Sequence, residues 1–219
     1  MLDADRSRRR VLRLLECATL FFVLPPSLYF FRHQLAFRVV PILLVLGAGC
    51  VFHLVRTGAM DRRSLWRPAD LRTCLPGILT VFVPAGILIS SAAVVFLPIR
   101  FLAFPRQTPG TWVVVMLLYP VLSALPQEVI FRALFFARYG SLFSNPVILV
   151  ACNGLSFGLA HAVCGNWTAM VLSTLGGWLF AYRYHRTGSV FAVSLEHGLW
   201  GNFLFTVGLG RYLYSGSIW

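Results

Sequence analysis

Residues 111–137 read TWVVVMLLYPVLSALPQEVIFRALFFA, and this stretch decides the fold. It is apolar over most of its length, and its only charged side chains are Glu128 and Arg132. An α-helix needs about 20 such residues to cross a hydrocarbon core that is roughly 30 Å thick. The stretch therefore predicts a membrane-spanning helix that carries an acid and a base inside it.

Similar apolar runs lie on both sides of this stretch. With 58 % hydrophobic and 12 % charged residues, the composition does not fit a water-soluble surface. We predict an all-α fold, a polytopic transmembrane helix bundle of about seven spans (six to eight). The predicted spans are 13–31, 39–56, 76–100, 111–137, 146–164, 167–184 and 188–209.

The break around residues 104–110 divides the predicted bundle. We interpret 1–110 as a three-helix N-terminal membrane anchor region and 111–219 as a four-helix catalytic core of the same membrane domain. Nearly all polar residues inside predicted spans follow this break. The functional site is therefore expected in the second half of the chain.

The net charge of +12 indicates membrane topology rather than nucleic-acid binding. Arginines cluster before the first span and in the loop from Arg56 to Thr73, instead of along one amphipathic face. The positive-inside rule then places the N-terminus in the cytoplasm. We expect a multi-pass protein of the bacterial inner (plasma) membrane, with the lipid bilayer as a partner and no nucleic acid.

Two acids, Glu128 and Glu196, lie deep in predicted spans, where an ionisable group is costly and calls for an explanation. Glu128 and Arg132 are four residues apart and share one helical face. A structural ion pair between helices explains them equally well. For Glu196 and the adjacent His197, a helix start at the membrane interface is the simpler interpretation.

Two histidines, His161 and His197, lie in the fifth and seventh predicted spans. At about 1.5 Å of rise per residue, Glu128 and His197 lie roughly 14 Å below the cytoplasmic helix ends and His161 about 22 Å. A lone histidine is more often a core residue than a catalyst. Three helices that each carry such a residue near one depth favour a single cluster.

These residues resemble the three-motif signature of the CPBP family, the CAAX-processing and bacteriocin-processing intramembrane proteases, which include Rce1-like glutamic-type enzymes. The family pattern is Glu-Glu-x-x-x-Arg, Phe-x-x-x-His and His-x-x-x-Asn on successive helices. The resemblance covers roughly residues 120–205, and residues 194–214 also resemble a branch linked to C-terminal sorting-tail proteins. The positions that correspond to this pattern, including the two that depart from it, are Gln127, Glu128, Arg132, Phe157, His161, His197 and Asn202.

Two positions depart from the family pattern. Gln127 stands where the family has its first glutamate, the residue usually assigned as the base that activates water. Gly201 stands four residues after His197, and the asparagine follows at Asn202, rotated by about 100° on a regular helix. A local π-bulge in this helix would restore the alignment.

The resemblance implies an endopeptidase that cleaves membrane-associated proteins or peptides. In our hypothesis Glu128 is the general base and His161 holds the attacking water. His197, helped by Asn202, stabilises the oxyanion, while Gln127 orients water or substrate and Arg132 supports Glu128. CAAX-like tails, bacteriocin leaders and sorting-tail proteins are all compatible substrates.

Two alternatives stay open at the level of sequence. One is a zinc-dependent metalloprotease with Glu128, His161 and His197 as ligands, although the family resembles metal-independent peptidases, so that we expect no cofactor. The other is a protein without catalysis, either an immunity or scaffold protein that kept the fold or a proton-coupled carrier. Gln127 favours the scaffold, whereas polarity confined to one layer argues against a carrier.

Overall fold

The computed structural model describes residues 2–35, 38–60 and 68–214, and the regular elements in these ranges are all helical. The all-α prediction is therefore confirmed. The polar centre of the predicted cytoplasmic loop, residues 61–67, lies outside the described residues. Residues 36–37 and 215–219 lie outside them as well.

Seven long helices occupy the seven predicted positions. Five of them, α1 to α5, are long and apolar enough to cross a membrane, which confirms a polytopic bundle. The helices α6 and α7 fall outside these limits of length and apolarity, and α7 has 17 residues, so that a count of seven spans stays a prediction. The helices are α1 (2–35), α2 (Val39–Arg56), α3 (Pro68–Phe96), α4 (Pro109–Leu142), α5 (Pro146–Cys164), α6 (Trp167–Thr187) and α7 (Val190–Thr206).

Short, capped turns connect the last three helices. The side chains of Asn145, Asn166 and Ser189 accept hydrogen bonds from backbone N–H groups in the first turns of α5, α6 and α7. Gly165 and Gly188 follow α5 and α6 with φ of 74° and 62°, which glycine adopts without a steric cost. The chain therefore reverses twice within a few residues, and α6 returns directly along α5.

Glycines allow α5 and α6 to approach closely. A Cβ atom on Gly177 of α6 would lie 2.8 Å from the carbonyl oxygen of Gly154 of α5. A Cβ on Gly158 would overlap the side chain of Thr174. The GxxxG spacing of Gly154 and Gly158 thus marks a helix contact, as small residues do between membrane helices.

Polar groups lie inside the bundle and apolar groups outside it. Glu128, Arg132, Asn153 and Glu196 have no exposed surface, whereas large apolar side chains cover much of the exterior of α1 to α4. Water would favour the opposite arrangement, but lipid is as apolar as these side chains. The exterior therefore suits a hydrocarbon solvent, and the interior holds the candidate site.

Candidate active site

The helix α4 is irregular around its acidic residue. Its two π-helical segments, Pro120–Ala124 and Val129–Leu134, flank one α-helical turn, Leu125–Glu128. Proline removes a backbone donor, which breaks the regular hydrogen-bond pattern, and π segments occur often at functional sites. The wider turns bracket Gln127 and Glu128, the pair at the start of the first motif.

Glu128 holds two partners from two helices. Its Oε1 lies 2.7 Å from Nδ1 of His197 on α7, and its Oε2 lies 3.1 Å from Nε of Arg132 in the next turn. Both charged side chains are 0 % exposed. The i,i+4 arrangement expected from the sequence is present, and His197 joins it from the other end of the chain.

Arg132 connects this pair to α5 and α6. Its Nη2 donates to the carbonyl oxygen of Gly177 over 3.1 Å, and its guanidinium carbon lies 4.3 Å from the centroid of the Phe157 ring. A cation over an aromatic face is stabilised most strongly where water is excluded. The Phe157 of the second motif is therefore a packing partner of Arg132 as well as a neighbour of His161.

His197 extends the network from Glu128 to a tyrosine. Its Nε2 lies 3.0 Å from the hydroxyl oxygen of Tyr119, and its ring stacks on Phe180 at a centroid distance of 4.8 Å. Both ring nitrogens and one face of the imidazole are therefore in contact with other side chains. A continuous hydrogen-bonded series runs from buried Glu128 through His197 to Tyr119.

Two cavities meet at these residues. Their volumes are about 330 and 320 Å³, and their walls are mostly apolar. His197 lines the second cavity, whereas Glu128 lines neither. The residues shared by both cavities are Tyr119, Ser123, Gln127, His161 and Leu213.

His161 lines both cavities, and one of its ring nitrogens contacts the backbone. Its Nδ1 lies 2.8 Å from the carbonyl oxygen of Phe157, and because a carbonyl only accepts, Nδ1 carries the proton of this bond. Nε2 of the neutral ring then carries a lone pair. His161 is therefore placed to accept a proton from a molecule in the cavity.

Gln127 faces the same space. Its Nε2 donates to Ser123 Oγ over 2.8 Å, which leaves the amide Oε1 as an acceptor. Gln127, rather than Glu128, therefore lines both cavities together with His161. An amide at this place can hold water but cannot take its proton.

Asn202 is turned away from His197. Its Nδ2 donates to the carbonyl oxygen of Met116 over 2.9 Å, and α7 is a regular α-helix from Val190 to Thr206. The π-bulge in α7 that was expected to realign Asn202 is therefore not present, and the π segments near the site lie in α4. Gly201, the residue four positions after His197, lines the second cavity.

The second deep acid forms its own pair. Glu196 accepts hydrogen bonds from Nε and Nη2 of Arg183 over 2.9 and 3.1 Å, which links α7 to α6. Glu196 is therefore explained by a structural ion pair and contributes no group to the cavities.

The arrangement as it stands does not form a metal centre. Within residues 2–35, 38–60 and 68–214, no three side chains of His, Cys, Asp or Glu lie close enough together to hold an ion. This includes the zinc ligands considered above, Glu128, His161 and His197.

Sequence reasoning did not single out Tyr119. The residue lies in the apolar run of α4, one position before Pro120, and its hydroxyl is the one signal that could have pointed to it. Only the fold brings this hydroxyl to His197, 78 residues further along the chain. Phe180, which stacks on His197, was likewise not indicated by any sequence motif.

Comparison with known proteins gives one family match for this part of the chain. Residues 109–203, which hold α4 to most of α7, match the family model described as type II CAAX prenyl endopeptidase Rce1-like. No curated protein and no solved structure gives a significant match to the chain. The matched range includes every residue of the Glu128, His161 and His197 motifs.

Proposed function

We propose that this multi-pass membrane protein, whose residues 109–203 match the family model of type II CAAX prenyl endopeptidase Rce1-like, hydrolyses a peptide bond of a membrane-associated substrate. The observation that carries the proposal is the meeting of His161, Gln127 and Tyr119 at the wall of two apolar cavities. Peptide hydrolysis needs an activated water and a donor for the oxyanion, and both are strengthened where bulk water is excluded.

In the proposed mechanism His161 takes the proton of the attacking water. In this proposal its Nε2, the ring nitrogen that does not contact Phe157, accepts the proton, and the amide oxygen of Gln127 holds the water. The water oxygen bonds to the carbonyl carbon while its proton moves to Nε2. His161 then returns this proton to the leaving nitrogen as the C–N bond breaks, which yields a carboxylic acid and an amine; transfer of the acid proton to the amine gives a carboxylate and an ammonium group.

Glu128 acts in this proposal through His197. Its carboxylate is fully buried, paired with Arg132 and bonded to His197, and it lines neither cavity. This geometry favours a positioning role over the role of general base expected from the sequence. His197 and Tyr119 then face the carbonyl oxygen of the substrate.

The cavity walls support an apolar substrate on both sides of the cleaved bond. The first cavity extends toward Val39, Leu43 and Phe104, and the second toward Ile89, Leu172 and Trp200. A peptide that passes through the shared polar centre would place apolar groups in both. Lipid-modified tails and apolar sorting tails both have this chemistry.

The test compares protein termini in cells with and without the chain. We expect new termini, in membrane-associated proteins, that appear with the wild-type chain and are lost with His161→Ala at equal protein level. A purified chain in liposomes should cleave a synthetic peptide that spans such a junction. Identical termini in all strains would instead favour the scaffold protein that Gln127 suggested.

A second variant examines the missing glutamate. Gln127→Glu places a carboxylate beside His161, and general bases contribute about 10²–10⁴-fold to rates. We expect it to raise the cleavage rate of the same peptide about tenfold or more. A rate that does not increase would mean that the water is not held at position 127.

A further inference from the structure

Tyr119 lies at the wall of both cavities with its hydroxyl oxygen 3.0 Å from Nε2 of His197. We propose that this hydroxyl is a catalytic group, which donates a hydrogen bond to the oxyanion of the tetrahedral intermediate. It would supply the donor that the family pattern places four residues after the last histidine. The inference rests on the proposed function and adds a residue that no motif contains.

The packing of Gly201 supports this replacement. A Cβ atom at Gly201 would overlap the Tyr119 side chain, and the nearest atoms are Cε1 and Cζ of the ring and the hydroxyl oxygen. A side chain at position 201 and the tyrosine ring therefore exclude each other. The chain has glycine at 201 and fills the space from α4 with a phenol.

Asn202 does not compete for the role. Its Nδ2 donates to the carbonyl oxygen of Met116 on α4, which ties α7 to α4. Asn202 is absent from the walls of both cavities, whereas Gly201 lines the second. The asparagine is thus a structural contact, and the donor beside His197 is Tyr119.

The hydrogen bonds of His197 define how the tyrosine donates. Nδ1 of His197 lies 2.7 Å from Glu128, and Nε2 lies 3.0 Å from the hydroxyl oxygen of Tyr119. Rotation about the Cζ–O bond of Tyr119 turns its O–H toward the cavity. Charge that develops on the substrate carbonyl oxygen then meets a hydroxyl donor whose position is fixed by the His197 ring, and such a donor is most effective where bulk water is excluded.

The proposed reaction at the substrate carbonyl oxygen needs no further reactant. As water adds to the carbonyl carbon, the π electrons of the C=O bond move onto oxygen, which accepts the hydrogen bond from Tyr119. When the C–N bond breaks, the electrons return and the hydrogen bond weakens. Tyr119 neither gains nor loses a proton over the cycle.

The experiment measures cleavage of the junction peptide by purified full-length variants in liposomes. Tyr119→Phe keeps the ring that fills the space at Gly201 and removes only the hydroxyl. Loss of one oxyanion donor costs about 10²–10³-fold in kcat, so we expect a fall of that order with little change in KM. The matched control is Tyr139→Phe, which removes the hydroxyl that a fully buried tyrosine donates to Glu16, away from the cavities.

A rescue variant separates chemistry from packing. Tyr119→Ala combined with Gly201→Asn removes the ring and restores an amide four residues after His197. We expect it to recover at least about tenfold of the rate that Tyr119→Ala alone loses.

Equal kcat for wild type and Tyr119→Phe would overturn this inference and leave the proposed function intact. A similar loss in Tyr139→Phe would also overturn it, since the effect would then be one of stability. The absence of any chain-dependent cleavage would overturn the proposed function and this inference together.

Discussion

At the scale of single residues, the buried pair of Glu128 and Arg132 carries a large desolvation cost. Neither charge reaches solvent, and this cost is offset by their mutual attraction and by contacts to His197, Gly177 and the Phe157 ring. Such a pair is tolerated while it is complete. Removal of one partner leaves the other charge buried and unpaired.

We therefore expect Glu128→Gln to lower the free energy of unfolding by about 3–5 kcal/mol. The amide keeps the shape of the side chain but leaves Arg132 without a counter-charge. Glu16→Gln is the matched control, because Glu16 binds Arg138 where both side chains are a third or more exposed, and its loss should cost less than about 1 kcal/mol. Denaturant titration in detergent measures both.

The double variant Glu128→Gln with Arg132→Gln provides the internal check. If burial of an unpaired charge causes the loss, removal of both charges should recover about half of it or more. Equal unfolding free energies for Glu128→Gln and Glu16→Gln would contradict a desolvated pair.

Among the helices, the contact of α5 with α6 positions the guanidinium of Arg132. The carbonyl oxygen of Gly177 accepts from Arg132, and the same glycine lets the α6 backbone reach Gly154. The interface between helices and the interior of the site therefore depend on one residue without a side chain. A side chain at Gly177 would therefore displace both the α5–α6 contact and the carbonyl oxygen that accepts from Arg132.

Gly177→Ala should lower the free energy of unfolding by about 1–3 kcal/mol, as insertion of a methyl group into a packed interface does. Cleavage should fall with it, because the acceptor of Arg132 moves. Gly49→Ala on α2 is the control, since its Cβ would meet nothing within 4 Å and alanine should stabilise the helix by about 0.5–1 kcal/mol. Similar changes in both variants would mean that the effect is one of helix propensity.

Over the whole molecule, apolar surface outside and charge inside define a membrane protein whose site is enclosed by helices. The two cavities share one polar centre, and the rest of their walls is formed by different residues. The helices α4 and α7 contribute residues to these walls as well as to the fold. The orientation in the bilayer follows from arginine placement alone and stays a prediction.

Thiol labelling tests this orientation. In a chain whose five cysteines are replaced, Thr108→Cys should react with a membrane-impermeant maleimide in intact cells, because the loop before α4 is predicted to face outward. Thr57→Cys should react only after permeabilisation. Both positions are exposed, so access to the reagent differs only by the membrane. The reverse labelling pattern would invert the topology.

The helical spans were predictable because each is a local property. A run such as 111–137 has the composition and length of a spanning helix whatever surrounds it. The Glu128 and Arg132 contact was predictable for the same reason, since helical geometry sets the distance between positions i and i+4. The pairing of Glu196 with Arg183 was not, because it joins two helices whose rotation the sequence leaves open.

By itself, the sequence determined an all-α membrane bundle, an acid and a base on one helical face, and the resemblance to a peptidase family. Only the tertiary structure decided that Gln127 rather than Glu128 lines the cavities together with His161, and that Tyr119 occupies the space over Gly201. The physical reason is that two π segments in α4 and the rotation of α7 set which side chains face the cavities. These depend on packing between residues far apart in the chain.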